Sequence, residues 1–235
     1  MADTDEVSMA FARDAQQTSK LVENDLTTLA ALLRSLKLPK EIRLLQEFRN
    51  HFLEYQRIDH EILELAVENT NLKAQRLSFG PLREVANRFQ SSIESVAGTV
   101  GPKDRCRVDG LVAKAELAVR EIQILHAPHI AEPEDAAMTR IERDLDTLQV
   151  TADDAVAELS KLIDAAAAEQ ITAARTELDK FKRVSRQIVE LSRRNSNVRS
   201  LDLALRTKLP LTAACDDSLR LLQDALSNEG FKATR

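Results

Sequence analysis

Tryptophan is absent from this 235-residue chain, tyrosine occurs once, at Tyr55, and aromatic residues make up only 3% of it. Sheets rely on aromatic and β-branched side chains for their half-buried faces, so this shortage counts against a sandwich, a barrel or an α/β fold. Five glycines and six prolines leave few sites for tight turns. The two cysteines, Cys106 and Cys215, form neither CxxC nor CxxCH, which excludes the usual zinc-knuckle and c-type haem signatures. They read as separate thiols on helices at the edge of a core, with a disulfide between them as the alternative. No apolar run reaches the roughly 18 residues that a membrane helix needs. The acidic start, Met1-Ala-Asp-Thr-Asp-Glu, lacks the apolar stretch of a signal peptide. The formal charge of −5 is spread along the chain, so the basic face that phosphate binding requires is missing and nucleic acid is not an expected partner.

What remains is rich in Ala, Leu, Glu, Arg and Lys, residues that lose little side-chain freedom in a helix. The expected fold is therefore all-α: an elongated up-and-down bundle of about seven helices. Apolar periodicity and Gly/Pro punctuation place them over 7–37, 40–79, 81–97, 105–125, 135–166, from there to 206, and 210–228. The second is the clearest, with a seam of Tyr55, Ile58, Ile62, Leu65, Asn69 and Leu72 spaced alternately by three and four. At about 1.5 Å per residue it would be a rod near 60 Å long, broken by Gly80-Pro81. Gly98 to Pro102 reads as a loop, and Gly230 as a C-cap.

An internal repeat at an offset of 126 residues organises the chain. Residues 55–78 read YQRIDHEILELAVENTNLKAQRLS, and residues 181–204 read FKRVSRQIVELSRRNSNVRSLDLA. Seven of the 24 positions are identical, and Tyr55/Phe181, Ile58/Val184 and Leu72/Val198 are conservative pairs. Pro81-Leu82 matches Pro210-Leu211 after a three-residue insertion. The chain thus divides into two related halves, 1–130 and 131–235, the second without a counterpart of the fourth helix. An uncovered apolar face should result, filled by a homodimer, a partner helix or helices of the first half.

The repeated Asn-x-Asn is the most informative motif. Asn69 and Asn195 fall on apolar seam positions, where a polar group costs stability unless its amide is hydrogen-bonded. Two readings stay open. Each asparagine fixes register against a neighbouring helix, or Asn69, Asn71, Asn195 and Asn197 line a polar pocket with Lys73, Arg76 and Arg199. Amide and guanidinium groups there would suit a small organic acid or an amino acid. His126 and His129 flank Pro128 and read as a solvated connector, with a metal site as the minor alternative. His51 and His60, nine residues apart, read as exposed. There is no Gly-rich phosphate loop, HExxH, GxSxG or close Cys/His pair, and Asp153-Asp154 and Asp216-Asp217 are adjacent acids on different helix faces. No enzyme activity, catalytic residue, metal or cofactor is expected.

The segment EFRNHFLEYQRIDHEILELAVENTNLKAQRLSFGPLREVANRF resembles the four-helix-bundle sensor domain of methyl-accepting chemotaxis receptors. Phe52, Tyr55, Ile62, Leu65 and the Gly80-Pro81 break carry the likeness, and Phe181, Ile188, Leu191 and Pro210 repeat it more loosely. The resemblance implies an extracytoplasmic sensory domain that signals by small helix displacements. Membrane contact would come only through anchors outside this sequence. A periplasmic or other extracytoplasmic setting follows for an excised receptor domain, a soluble cytoplasmic one otherwise. The alternative is a structural or adaptor bundle. The family's ligand-contacting arginines have no motif here onto which they can be carried.

Overall fold

The computed structural model describes residues 5–163 and 167–233, with side chains for 6–163 and 167–228. Among the described residues the chain is all-α, with no strand, and forms five segments of joined helices rather than about seven separate ones. The first is α1 (Asp5–Ser35). The second strings together α2 (Pro39–Glu68), α3 (Thr70–Leu77) and α4 (Arg83–Ala97). Then come α5 (Arg105–Ala131) and α6 (Asp135–Leu162), and last α7 (Ala168–Arg194), α8 (Ser196–Leu203) and α9 (Leu209–Ala233) as one segment. No described helix is long and apolar enough to cross a membrane.

The punctuation acts differently from the sequence expectation. Pro39 opens α2, where its missing N–H would be unsatisfied anyway. Gly80-Pro81 does not break the helix. Residues Ser78–Leu82 form a π turn that absorbs the proline, and α4 continues from it. A second π turn, Ala204–Lys208, lies 126 residues on, although Pro210 falls just beyond it. The breaks sit at Asn69 and Asn195 instead, so the 60 Å rod is interrupted. α5 runs through Pro128, because the Ile124 carbonyl that loses its partner belongs to an exposed residue. α9 passes through Gly230 to Ala233, so this glycine ends no helix. Residues 164–166, the end of one expected helix, and Met1 to Thr4 lie outside the described residues.

The helices form two compact units, and these do not coincide with the sequence halves 1–130 and 131–235. Unit 1 comprises Met1–Asn69 with Ser196–Arg235, and unit 2 comprises Thr70–Asn195. In unit 1, α1 and α9 both pack on α2. Its core joins Leu26 and Leu33 of α1, Leu45, Phe48 and Phe52 of α2, and Cys215 and Leu222 of α9. Unit 2 has a larger core, from Phe89 and Ile93 of α4, Val112 and Ile122 of α5, Leu145 and Leu159 of α6, and Phe181 and Ile188 of α7. Both cysteines are free thiols, Cys106 exposed and Cys215 buried.

The repeat extends beyond the segment in which residue identity reveals it. At the same offset of 126, buried Met138, Ala152 and Leu159 of α6 recur as buried Ala12, Leu26 and Leu33 of α1. Buried Ile171, Ala174 and Leu178 of α7 recur as Leu45, Phe48 and Phe52 of α2, and Phe89 and Val96 of α4 as Cys215 and Leu222 of α9. Thus α1, α2 and α8–α9 of unit 1 correspond to α6, α7 and α3–α4 of unit 2. Helix α5 has no counterpart among the described residues.

Candidate functional site

Asn69 and Asn195 hold φ/ψ of 49°/38° and 51°/36°. A left-handed residue ends one helix and lets the next begin in a new direction. Asparagine tolerates that conformation, whereas a side chain such as Leu is strained by about 1–2 kcal/mol. Both side chains are buried. In unit 2, Asn71 Nδ2 donates to Asn195 Oδ1 at 2.7 Å and to the Ile130 carbonyl at 2.8 Å, while Asn195 Nδ2 donates to the Glu132 carbonyl at 3.0 Å. In unit 1 the roles recur: Asn197 Nδ2 donates to Asn69 Oδ1 at 3.0 Å, and Asn69 Nδ2 to Ser8 Oγ at 2.9 Å. Each unit therefore takes its first asparagine from one motif and its second from the other.

Of the seven residues singled out in the sequence, the structure pairs Asn71 with Asn195 and Asn69 with Asn197. Lys73 is half-buried on α3, and Arg76 and Arg199 are exposed on α3 and α8. The four amides bind in two pairs and to backbone or the Ser8 hydroxyl, and none of the seven lines the groove described below.

A second polar cluster lies inside unit 2 and corrects the reading of two histidines as solvated. His126 and His129 are fully buried on α5. His126 Nε2 meets Ser185 Oγ at 3.0 Å, while its Nδ1 is buried without a hydrogen-bond partner. Burial, then the neighbouring His129, pushes the His126 pKa down to about 4. His129 Nδ1 meets Ser192 Oγ at 2.8 Å, and its Nε2 meets Glu142 Oε1 at 2.9 Å. Both ring nitrogens of His129 are thus engaged. Arg193 Nε donates to Glu142 Oε1 at 2.6 Å and Nη2 to Oε2 at 2.9 Å, a two-pronged grip. That grip chiefly holds the Glu142 carboxyl below the usual range. In unit 1, His51 is half-buried rather than exposed, and its Nδ1 meets Ser218 Oγ at 2.9 Å. His60 is exposed beside Glu64.

A groove of about 640 Å³ lies between α4 and α5 of unit 2. Arg83, Asn87 and Gln90 of α4 face Glu116, Arg120 and Gln123 of α5 over a floor that includes Ala86, Phe89 and Val119. Phe79 and Ile124, both exposed, form its rim. Arg120 Nη2 donates across it to Gln90 Oε1 at 3.4 Å. Glu116 Oε1 is buried with no hydrogen-bond partner, an unusual condition for a carboxyl oxygen. Burial and then the Glu94 carboxylate raise the Glu116 pKa, against the opposing pull of Arg120. Sequence reasoning missed these residues. The available signal was a pair of polar rows with equal spacing: 83, 87, 90 and 116, 120, 123 each step by four and three along one helix face. No protein-family model matches the chain, and comparison with curated proteins gives no significant match.

Proposed function

We propose that the chain is a sensory-type helical-bundle module that binds a small carboxylate, best an amino acid, in the α4–α5 groove of unit 2 and relays occupancy by helix displacement. One observation carries this reading: two guanidinium groups and three amides line a groove in which a buried carboxyl oxygen lacks a partner. Arg83 and Arg120 suit a ligand carboxylate, which a guanidinium can grip with two parallel bonds. Glu116 Oε1 would accept from a ligand ammonium group. The apolar floor and the Phe79 and Ile124 rim give a side chain somewhere to lie.

Relay requires that the ligand bind two helix arrangements unequally, since it shifts an equilibrium only by that difference. Support comes from the groove's edge, where Ser78 and Phe79 belong to the π turn between α3 and α4. Such a turn stores one extra residue in a helix and is frequent at functional sites. The reading agrees with the chemoreceptor resemblance, which would place the module outside the cytoplasm, and it assigns no chemical step to the chain. An adaptor role has a separate observation in its favour, the exposed apolar residues of unit 1.

The test is a thermal-shift screen of amino acids beside the same acids without the amino group. At about one hundred times Kd, a ligand of the folded state adds about 2.7 kcal/mol. We expect stabilisation by an amino acid, loss of it in Arg120→Gln, and a weaker response to the deaminated acid. If no compound stabilises the protein, or if Arg83→Gln and Arg120→Gln leave the shift unchanged, the groove is not the site.

A further inference from the structure

The hydrogen bonds around His129 can be counted proton by proton. Ser192 Oγ donates its one hydrogen to the His129 carbonyl at 2.8 Å, so toward His129 Nδ1, also at 2.8 Å, it can only accept. Glu142, ionised in the grip of Arg193, can only accept from His129 Nε2. All these bonds are made together only if both ring nitrogens carry hydrogen, which makes His129 an imidazolium. A buried cation persists where it is paired and hydrogen-bonded. The row His129–Glu142–Arg193 supplies both conditions and ties the end of α5 to α6 and α7.

His126, one turn earlier, has the opposite requirement. Its ring is fully buried, Nε2 meets Ser185 of α7, and nothing answers Nδ1. A second proton would leave an N–H without an acceptor and set a new cation beside His129. No neighbouring element offers relief. The charges of α3, Lys73 and Arg76, are cations. On α4, Arg83, Glu84, Arg88 and Glu94 are all exposed, as are Arg183, Arg186 and Glu190 of α7. Glu142 of α6 is already engaged by His129 and Arg193. The charge that acts on the His126 ring is that of His129.

The stretch that carries the pair is also the part of α5 easiest to open. Pro128 removes one backbone bond from it, and the helix ends at Ala131. Two side chains hold its end: Asn71 bonds the Ile130 carbonyl, and Asn195 the Glu132 carbonyl. We propose that the C-terminal part of α5 is a proton-operated latch, closed by a charged His129 and a neutral His126 and opened when His126 takes up a proton. Opening withdraws two carbonyls from Asn71 and Asn195, so the latch bears on the helix break at Asn195. Gln123, Ile124 and Ala127 of the groove lie on the same stretch, but the latch does not depend on that groove holding a ligand.

The test is amide hydrogen exchange on the full chain at pH 7.5 and pH 5, corrected for the intrinsic pH dependence of exchange. Wild type is compared with His126→Gln, which can still bond Ser185 but takes up no proton. With His126 at about 4 in the closed latch and 6.5 in the open one, opening of residues 124–132 should rise roughly 30-fold more in the wild type than in the variant. The variant keeps His129, so the response of that residue cancels in the comparison. Helices α1 and α2 should show no such gap. An equal rise in both proteins overturns the proposal. So does a gap spread evenly over all of unit 2, which would mean unfolding rather than a latch. Nitrogen-15 NMR of the wild-type imidazoles at pH 7.5 and below covers the case of a variant that folds poorly. His129 should show two protonated nitrogens and His126 one. A neutral His129, or a His126 that titrates at 6.5, overturns the proposal.

Discussion

Units 1 and 2 each have three corresponding helices, one Asn–Asn bond and a π turn in the same register, but they solve the problem of their interior differently. In unit 2, α5 closes the bundle and brings two imidazoles inside, where Ser185, Ser192 and Glu142 receive them. In unit 1 the corresponding positions are Asp59, Ala66 and Gln16, and no described helix delivers histidines to them. Asp59 instead pairs with Lys208, which stands where unit 2 has buried Leu82. The ammonium of Lys208 also lies 4.9 Å from the centre of the Tyr55 ring, the counterpart of fully buried Phe181. A buried polar group needs an answering group wherever it sits. The side chains of the three shared helices therefore differ where α5 packs in unit 2, and Leu219 is partly exposed where Ile93 is buried.

The largest effects expected from testing this comparison lie at the helix breaks. Asn69→Leu and Asn195→Leu each force a left-handed leucine, about 1–2 kcal/mol, and leave polar partners unanswered, about 1–3 kcal/mol. Urea unfolding followed by circular dichroism should show a loss of about 2–5 kcal/mol for each. Each side chain carries two bonds, Asn195 to Asn71 and Glu132, and Asn69 to Asn197 and Ser8. Asn69→Gly and Asn195→Gly should lose less, because glycine keeps the left-handed turn at little cost. Leucine variants that melt above the wild type would show that the asparagines only set register in a seam and that the breaks are dispensable.

A smaller effect separates the units by pH. His126 is held at about 4, below its ordinary 6.5, so the unfolded chain takes up its proton first as the solution is acidified. The contribution of a neutral buried His126 is complete above pH 6.5 and is lost as pH falls from there toward 4, by at most about 1.4 kcal/mol per pH unit. Glu142, held below its ordinary range by Arg193, adds a loss of the same sign at lower pH. Thermal melts between pH 7.5 and 4 should show this slope in the wild type and a shallower one in His126→Gln, which can still bond Ser185 but does not titrate. An equal slope in both would remove His126 from the account.

The helices were legible because composition, period and punctuation agreed: an Ala- and Leu-rich chain with an Ile/Leu seam has few other ways to bury its apolar surface. The repeat was legible for the same reason, as the buried positions keep their chemistry at a fixed offset. The breaks were not. Gly80-Pro81 is a strong turn signal locally, but one wider turn satisfies it, and an asparagine in a left-handed conformation looks in sequence like any polar residue on a seam. His126 and His129 looked solvated because Pro128 lies between them, yet the proline sits on the exposed side of a helix that otherwise faces the core. The groove residues come from α4 and α5, whose pairing only the packing reveals. Their two polar rows mean little until they are set face to face.

The contrast between the two units can be measured most directly by amide hydrogen exchange. Exchange follows local opening, so an uncovered face exchanges faster. We predict that α5, α6 and α7, which share the larger core, exchange more slowly than α1 and α9. Protection of α1 and α9 as deep as that of α6 would contradict the account, because the two interiors would then be equally closed.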